Sequence, residues 1–210
     1  MNRIPSTLFA VPINFLMSFP KIYSKVTLFL RGKKTTQEFV NKYVKPKAGD
    51  KILDIGCGPG DALQFLSEVE YYGFDMDRGY IETAKKRYGS RGNFFCKKVS
   101  LDAVEGTEQF DIVITMGVIH HLNDEEAKQL FELAFQLLKP SGRLITYDGC
   151  YLPNQSSAER FFLDIDRGRF IRTESAYCEL LSKKFSHITS DIRHDLLMIP
   201  YATIVFTCTK

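Results

Sequence analysis

Residues 52–60 read ILDIGCGPG, an apolar run that leads directly into three glycines at alternate positions. Residues 51–55 have the apolar character of a short buried strand, and a helix is predicted over residues 62–67. Glycines let backbone N–H groups approach a ligand that a Cβ atom would hold away, and a helix start offers unpaired donors. The stretch therefore predicts a strand, a nucleotide-binding loop and a helix in succession.

Carboxylates near this loop narrow the class of nucleotide. Asp75 ends the second predicted strand, where it can accept hydrogen bonds from both hydroxyls of a ribose. The third glycine is Gly60, and Asp61 occupies the position that the GxGxxG fingerprint of dinucleotide-binding proteins gives to glycine. Asp54 adds a negative charge at the mouth of the loop, which would repel a pyrophosphate and attract an ammonium or sulfonium group. The spacing therefore disfavours NAD.

Predicted strands alternate with predicted helices from Thr35 onward, which is typical of an α/β fold with a parallel sheet and helices on both faces. The last two strands read as a closing hairpin, and residues 1–210 are predicted to form a single domain. Residues 139–142 are predicted to form the turn before the fifth strand. The predicted helices are 35–44, 62–67, 78–88, 124–138, 156–163 and 173–184, and the predicted strands are 51–55, 71–74, 93–96, 110–115, 143–147, 187–193 and 201–209.

The composition excludes several classes of protein and partner. The 210 residues include 28 Lys and Arg and 25 Asp and Glu, which leaves a net charge of +3. Because this balance lacks the dense cationic surface that tight binding to a phosphate backbone requires, no nucleic-acid partner is predicted. The five cysteines form no CxxC pair, so neither a disulfide framework nor a zinc site is indicated. We therefore predict no bound metal and a reducing, cytoplasmic location.

The N-terminal segment is the most apolar part of the chain, and residues 4–20 carry no charge. Pro5, Pro12 and Pro20 would interrupt the hydrogen bonds of a membrane-spanning helix repeatedly, so a span is disfavoured. Residues 1–48 are predicted to form a helical cap over the domain. The functional alternatives are an active-site lid or a membrane-surface contact, which the flanking lysines would suit. Membrane contact is possible but not favoured.

Five motifs, in order, resemble those of the class I S-adenosylmethionine-dependent methyltransferases: ILDIGCGPG, YYGFDMD, LDAV, FDIVITMGVIHHLND and LLKPSGRL. The resemblance spans residues 51–147 and implies a Rossmann-like three-layer sandwich. Its seven-stranded, mostly parallel sheet would end in an antiparallel strand. Residues 49–148 would form the cofactor-binding core, and residues 149–210 the acceptor-pocket helices and the terminal hairpin. Ser141 replaces a glycine that is common in the last motif.

The same resemblance implies S-adenosylmethionine as the cofactor and S-adenosylhomocysteine as its product. The first motif would hold the methionine end, Asp75 the ribose, and the LDAV loop the adenine. The residues that the resemblance assigns to the cofactor are Asp54, Gly56, Cys57, Gly58, Gly60, Asp75, Met76, Asp102, Ala103 and Met116.

The candidate catalytic residues are His120 and His121, which follow the fourth predicted strand at the edge where such folds place their active site. A hydroxyl or ammonium acceptor must lose a proton, and an imidazole can take it. Adjacent residues rarely share a face, so at most one histidine is expected to act directly, and His120 is preferred. The other is expected to face the core or to cap the helix that opens at Asn123.

The methyl acceptor is predicted to be a small molecule. The residues after the fourth strand offer no metal ligands, and the asparagine-proline-aromatic motif of amino-methylating DNA enzymes is missing there. Candidate substrate residues are Tyr147, Tyr151, Arg160 and Arg169, and an arginine fork would suit an anionic acceptor. Most arginines of this region, Arg172 among them, are expected instead to form solvated pairs with nearby carboxylates.

Two alternatives to a small-molecule O- or N-methyltransferase stay open. One is a non-catalytic module that binds S-adenosylmethionine or a partner protein. The other is a methyltransferase of a membrane-associated lipid or glycan precursor, which the apolar N-terminal segment suggests. The sequence does not indicate an oligomeric state.

Overall fold

The computed structural model describes residues 35–104, 109–166 and 168–210. The uncharged stretch 4–20, and with it most of the predicted cap, lies outside the described residues. Residues 35–39 form an α-helix that continues as a π-helical turn over Val40–Val44. Lys45 ends this leading helix (residues 35–44) in the left-handed conformation, with φ 43°. The predicted helix over residues 35–44 is therefore confirmed.

Seven strands form one continuous sheet in the order β3-β2-β1-β4-β5-β8-β7. The pairs among β1 to β5 are parallel, whereas β8 lies between β5 and β7 and is antiparallel to both. The predicted sheet with an antiparallel last strand is thus confirmed, and a two-residue strand, β6, is added beside the end of β5. The strands are β1 Lys51–Ile55, β2 Glu70–Asp75, β3 Asn93–Cys96, β4 Phe110–Met116, β5 Leu138–Tyr151, β6 Arg172–Thr173, β7 His187–Arg193 and β8 Thr203–Thr209.

In the described part of the chain, four further α-helices begin at polar side chains that cap them. They are α1 Arg78–Tyr88, α2 Asp124–Leu137, α3 Ser157–Asp164 and α4 Glu174–Leu181. Asn123 and Ser156 form capping boxes with the glutamates three residues later, and Asp77 and Thr173 accept a backbone N–H of the first turn. The segment after the glycine loop, predicted as a helix over 62–67, is a 3-10 helix, Asp61–Phe65.

The predicted turn at residues 139–142 is a bulge inside β5. Leu138 pairs with Phe110 and Arg143 with Ile112, so β5 carries three more residues than β4 between these pairs. Ser141 takes the left-handed conformation, with φ 67°, in the middle of the bulge. The chain therefore bends where the sequence predicts, but the strand begins five residues earlier than predicted.

The sheet separates two hydrophobic cores. Leu53 and Val113 face one core, and their neighbours Ile52 and Ile112 face the other, as expected for central strands that are covered on both sides. Helices α2 and α4 contribute to the first core, and the leading helix and α1 to the second. This arrangement confirms the predicted three-layer sandwich. Within the three described ranges, no helix has the length and apolar character needed to span a bilayer.

Candidate active site

The glycine loop after β1 is shaped by the positive φ angles of its three glycines. Gly56, Gly58 and Gly60 all take the left-handed conformation, with φ values of 74°, 54° and 78°. Residues other than glycine adopt the left-handed backbone conformation only at a cost in conformational energy. The alternate glycines therefore fix the path of the loop. The N–H groups of Gly56 and Cys57 donate to the carbonyl of Phe74, 2.8 and 3.0 Å away, which ties the loop to β2.

The three glycines differ in what a side chain would meet. A Cβ atom on Gly56 would lie 2.4 Å from Val118 Cγ2, and one on Gly60 would lie 2.9 Å from Tyr88 Cε2. No described atom lies within 4 Å of a Cβ built on Gly58. Gly56 and Gly60 are therefore required for packing, whereas Gly58 borders open space that a ligand can fill.

Asp75 organises the loop from the end of β2. Its Oδ2 accepts the N–H of Gly58 at 2.9 Å, and its Oδ1 accepts the N–H of Asp77 at 2.8 Å. A carboxylate oxygen can accept more than one hydrogen bond, so both oxygens keep capacity for ribose hydroxyls. The residue predicted to bind a ribose therefore also holds the loop in place.

The remaining predicted cofactor residues lie in different environments. Asp54 is buried on β1 and accepts the hydroxyl of Tyr71 at 2.6 Å. Met76 follows Asp75 and is 72% exposed, and Met116 is partly buried at the end of β4. Asp102 and Ala103 lie in a 3-10 turn, Asp102–Val104. Because β1, β2 and β4 are parallel, their carboxyl ends bring Asp75, Met76, Met116 and the glycine loop to one edge of the sheet.

Cys57 lies inside the loop as a buried thiol. Burial, together with the carboxylates of Asp54 and Asp75, raises the pKa of Cys57 well above its usual value. Burial also raises the pKa of Cys150 and of Cys208, each to about 12. These three cysteines therefore act as packing residues and not as nucleophiles.

This assignment predicts selective thiol modification. A pKa raised from 9.0 to about 12 lowers the thiolate fraction at pH 8 on the order of 10³-fold, so Cys150 and Cys208 should resist iodoacetamide in the folded protein. Cys57 should resist it too, whereas the exposed Cys96 should be alkylated within minutes. Peptide mass mapping with and without 6 M guanidinium measures this, and rapid native alkylation of Cys57 would contradict its burial.

His120 is held inside the protein beside the end of β5. It is 7% exposed, and its Nδ1 lies 2.8 Å from Oδ1 of Asp148, which also accepts the backbone N–H of His120 at 3.1 Å. Asp148 is only 2% exposed, and among the described residues its other oxygen, Oδ2, has no hydrogen-bond partner. Asp148 therefore fixes the orientation of the imidazole and leaves one buried acceptor atom at the site.

A second carboxylate lies on the other side of the His120 ring. His120 Nε2 is 3.8 Å from Oδ1 of Asp166, and the hydroxyl of Tyr201 donates to Oδ2 of Asp166 at 3.0 Å. Burial and the charge of Asp166 raise the pKa of Tyr201, so its hydroxyl stays neutral. A Cβ atom on Gly168 would lie 2.2 Å from Cδ2 of His120, so the chain passes directly over the ring.

His121 differs from its neighbour in exposure. Both histidines lie in the 3-10 turn Ile119–His121, and their ring centroids are 4.2 Å apart. His121 is exposed, whereas Asp148, Asp166 and Gly168 surround His120. One of the two histidines was expected to face the interior, and one does. The buried histidine is His120, however, which the sequence analysis preferred as the reacting group. An acceptor arriving from solvent can reach His121.

The four candidate substrate residues do not form one cluster. Tyr147 is 3% exposed and packs edge-on against Phe39 of the leading helix. Tyr151 and Arg160 meet at the surface, where both contact Asp164 and the guanidinium carbon lies 4.3 Å from the ring centroid of the tyrosine. Arg169 is exposed. The expectation of solvated ion pairs therefore holds for Arg160.

Sequence reasoning assigned no role to several residues around His120. Asp148 directly follows the fifth predicted strand, and a charged residue at a parallel strand's carboxyl end was an available signal. Asp166 and Tyr201 lie 18 or more positions after Asp148 in the chain, and only the fold brings them close to His120. Arg172 was expected to be solvated, but it is 8% exposed.

Comparison with known proteins agrees with the fold and the loop. A family model described as a methyltransferase domain matches residues 52–142. Phosphoethanolamine N-methyltransferase 1 of Zea mays is 28% identical over 191 residues, which are 86% of this chain and 36% of that protein. Probable tRNA methyltransferase 9B of Homo sapiens is 35% identical over 103 residues, 48% of this chain and 22% of that protein. The chain thus spans little more than a third of the length of the plant relative.

A solved structure has a similar architecture. The Haemonchus contortus phosphoethanolamine N-methyltransferase 2, in complex with phosphomonomethylethanolamine and S-adenosylhomocysteine, superposes with a TM-score of 0.65 at 16% identity. The superposition covers 85% of this chain and 52% of that one. The matched domain, the strand order and the glycine loop together agree with the resemblance to class I S-adenosylmethionine-dependent methyltransferases.

Proposed function

We propose that this chain transfers a methyl group from S-adenosylmethionine to a small amine acceptor at the carboxyl edge of β4 and β5. The observation that carries the proposal is the histidine pair in the turn after β4, which begins at Val118, a residue that packs against Gly56 of the glycine loop. Asp148 holds His120 at 2.8 Å, and the ring of the exposed His121 lies tilted against that of His120, with centroids 4.2 Å apart. Methyl transfer needs positioning, exclusion of water and a group that takes the acceptor's proton. These residues can supply the last of these.

The residues at the loop fit the proposed cofactor. The open space at Gly58 accommodates a ligand against the backbone, and Asp75 has oxygens that can accept ribose hydroxyls. Asp54 and Asp75 contribute negative charge near the loop, which favours a sulfonium over a pyrophosphate. When bound, S-adenosylmethionine supplies the electrophilic methyl group. Met76, Asp102, Ala103 and Met116 would complete its site.

Acidic groups around the histidines favour a cationic acceptor. Asp148 presents a buried Oδ2 that accepts no hydrogen bond from any described residue, and Oδ1 of Asp166 lies 3.8 Å from His120 Nε2. Two carboxylates this close to the His120 ring attract an ammonium group. His121 can take the proton that the acceptor nitrogen must lose before it attacks the methyl group. The exposed Arg169 would meet an anionic group of the acceptor, whereas Tyr151 and Arg160 are already engaged with Asp164. The similarity to phosphoethanolamine N-methyltransferases supports an acceptor of this kind.

A tRNA acceptor is the main competitor, because a human relative is described as a probable tRNA methyltransferase. The net charge of +3 over 210 residues disfavours it, since RNA binding relies on many cationic contacts. A non-catalytic cofactor-binding module is the second competitor. We infer a cytoplasmic enzyme that acts without a metal. Measurements of cofactor binding and of acceptor choice distinguish the three candidate functions.

Cofactor binding is expected to raise the stability of the protein. A ligand at a hundred times its dissociation constant adds about 2.7 kcal/mol to the free energy of unfolding, so millimolar S-adenosylmethionine should raise the thermal midpoint by several degrees. Differential scanning fluorimetry measures the shift, with ATP as the control ligand. An unmoved midpoint with S-adenosylmethionine and with S-adenosylhomocysteine would overturn the proposal.

Acceptor identity is tested with methyl-labelled S-adenosylmethionine. The panel contains phosphoethanolamine, ethanolamine, a phenol, phosphatidylethanolamine vesicles and total tRNA. Transfer to phosphoethanolamine or ethanolamine is the expected result. Transfer to vesicles alone would support the membrane alternative, transfer to tRNA alone would overturn the small acceptor, and binding without transfer would favour the non-catalytic module.

A further inference from the structure

Arg172 is a buried arginine that ties together the loops around the histidine pair. It lies in β6, which pairs with Cys150 and Tyr151 at the end of β5. Its side chain is 8% exposed, and all three guanidinium nitrogens donate hydrogen bonds. We infer that Arg172 is a positioning residue for the proposed reaction: it sets the orientation of the turn that carries His120 and His121. This inference rests on the proposed function.

The hydrogen bonds of Arg172 converge on that turn from one side. Nη1 donates to the carbonyl of Ile119 at 3.3 Å, and Nη2 donates to the carbonyl of Leu122 at 2.7 Å, so the bonds bracket the two histidines. Nε and Nη2 also donate to Oδ1 of Asp124, at 2.9 and 2.7 Å. The guanidinium therefore holds the turn at both of its ends and at the start of α2.

The same guanidinium also fixes the segment that covers His120. Nη1 donates to the carbonyl of Phe170 at 2.9 Å, and the N–H of Phe170 donates in turn to the carbonyl of His120 at 2.9 Å. Gly168, two residues earlier, lies against the His120 ring. One side chain thus joins the loop after β4 to the loop before β6, and a shift of Arg172 moves both.

Lysine cannot reproduce this arrangement. A guanidinium presents five N–H donors in a rigid plane, whereas an ammonium has three donors on a flexible stem. Arg172→Lys therefore keeps the charge and the ion pair with Asp124 but cannot bind all three carbonyls. The position of the turn is then no longer fixed from both ends.

The test compares Arg172→Lys with Arg143→Lys. Arg143 also holds backbone carbonyls, those of Val44 and Lys45, but it lies in the first half of β5, whereas β6 pairs with the last two residues of that strand. Each variant is assayed for its unfolding midpoint, for S-adenosylhomocysteine affinity by calorimetry, and for kcat and KM on the acceptor found in the panel. Ring ¹⁵N signals of His120 and His121 are also compared by NMR, which needs no turnover.

Arg172→Lys is expected to lower kcat about 10- to 100-fold, to change S-adenosylhomocysteine affinity less than threefold, and to shift the ring signals of at least one of the two histidines. Arg143→Lys should lower the unfolding midpoint without these changes. The inference is overturned if both variants lower kcat equally, or if Arg172→Lys leaves the histidine signals in place.

Two further outcomes keep the result decisive. If Arg172→Lys does not fold, Asp124→Asn, which weakens the Asp124 ion pair while Arg172 stays, should shift the same signals, and unchanged signals would overturn the inference. If the unmodified chain methylates nothing, the proposed function fails, and the NMR comparison alone decides whether Arg172 orients the turn.

Discussion

Replacing His121 by glutamine is expected to lower kcat by about 10²- to 10⁴-fold, the usual contribution of a positioned general base. His121 is the exposed member of the pair, and its ring lies against the buried His120 that Asp148 orients. Glutamine keeps a polar side chain of similar length but cannot take a proton at neutral pH. Cofactor affinity should stay within about threefold, because His121 lies in the turn after β4 and not in the glycine loop.

Two matched histidine variants make this expectation decisive. His187→Gln, at the exposed start of β7, should leave kcat within about twofold. His120→Gln should instead lower the free energy of unfolding by about 1–3 kcal/mol, because the buried Asp148 loses its imidazole partner. Steady-state kinetics and urea denaturation of each variant are the measurements. If His121→Gln is fully active and a stably folded His120→Gln is inactive, His120 and not His121 is the general base.

Alanine at two positions of the glycine loop should separate stability from cofactor affinity. Gly56→Ala forces a side chain into the left-handed region and places its Cβ 2.4 Å from Val118 Cγ2, so strain and overpacking together should cost about 2–5 kcal/mol. Gly58→Ala has the same strain but meets no described atom within 4 Å, so it should cost about 1–2 kcal/mol. Urea denaturation measures both.

Gly58→Ala should weaken ligand binding more than Gly56→Ala does, which is the reverse of their effects on stability. Gly58 borders the space that we assign to the cofactor, so its methyl group should weaken S-adenosylhomocysteine binding about 10- to 100-fold by calorimetry, which corresponds to about 1.4–2.7 kcal/mol. Gly89→Ala is the control, since Gly89 also has a positive φ (56°) and open space around it, at the end of α1. If Gly58→Ala binds as tightly as Gly89→Ala does, the cofactor does not lie against Gly58.

The cofactor side of the molecule follows from local sequence to an unusual degree. A strand that enters alternate glycines permits few backbone paths, and the observed loop has all three glycines in the left-handed region. Asp75 could be placed opposite the loop because parallel strands end at one edge of the sheet. The alternation of strands and helices likewise predicted the parallel sheet, whereas the antiparallel last strand was implied by the family resemblance.

The acceptor side did not follow from local sequence. His120 and His121 are adjacent and chemically identical, so no pattern in the chain tells which ring is buried. The choice depends on Asp148, 28 positions away from His120, and on Gly168, which crosses over the ring. Arg172 shows the same difficulty. A sequence with an arginine among acidic residues is as typical of a solvated ion pair as of a buried arginine that binds several backbone carbonyls.

The sequence by itself determined the fold class and the glycine loop, because each depends on contacts within a short stretch or on the regular alternation of strands and helices. Only the tertiary structure decided which histidine is buried and which side chains hold it. Those contacts join residues from the ends of β4, β5 and β6, and their burial and charge environment exist only after the sheet has formed. Interactions over such distances leave no periodic trace in the chain, so packing alone reveals them.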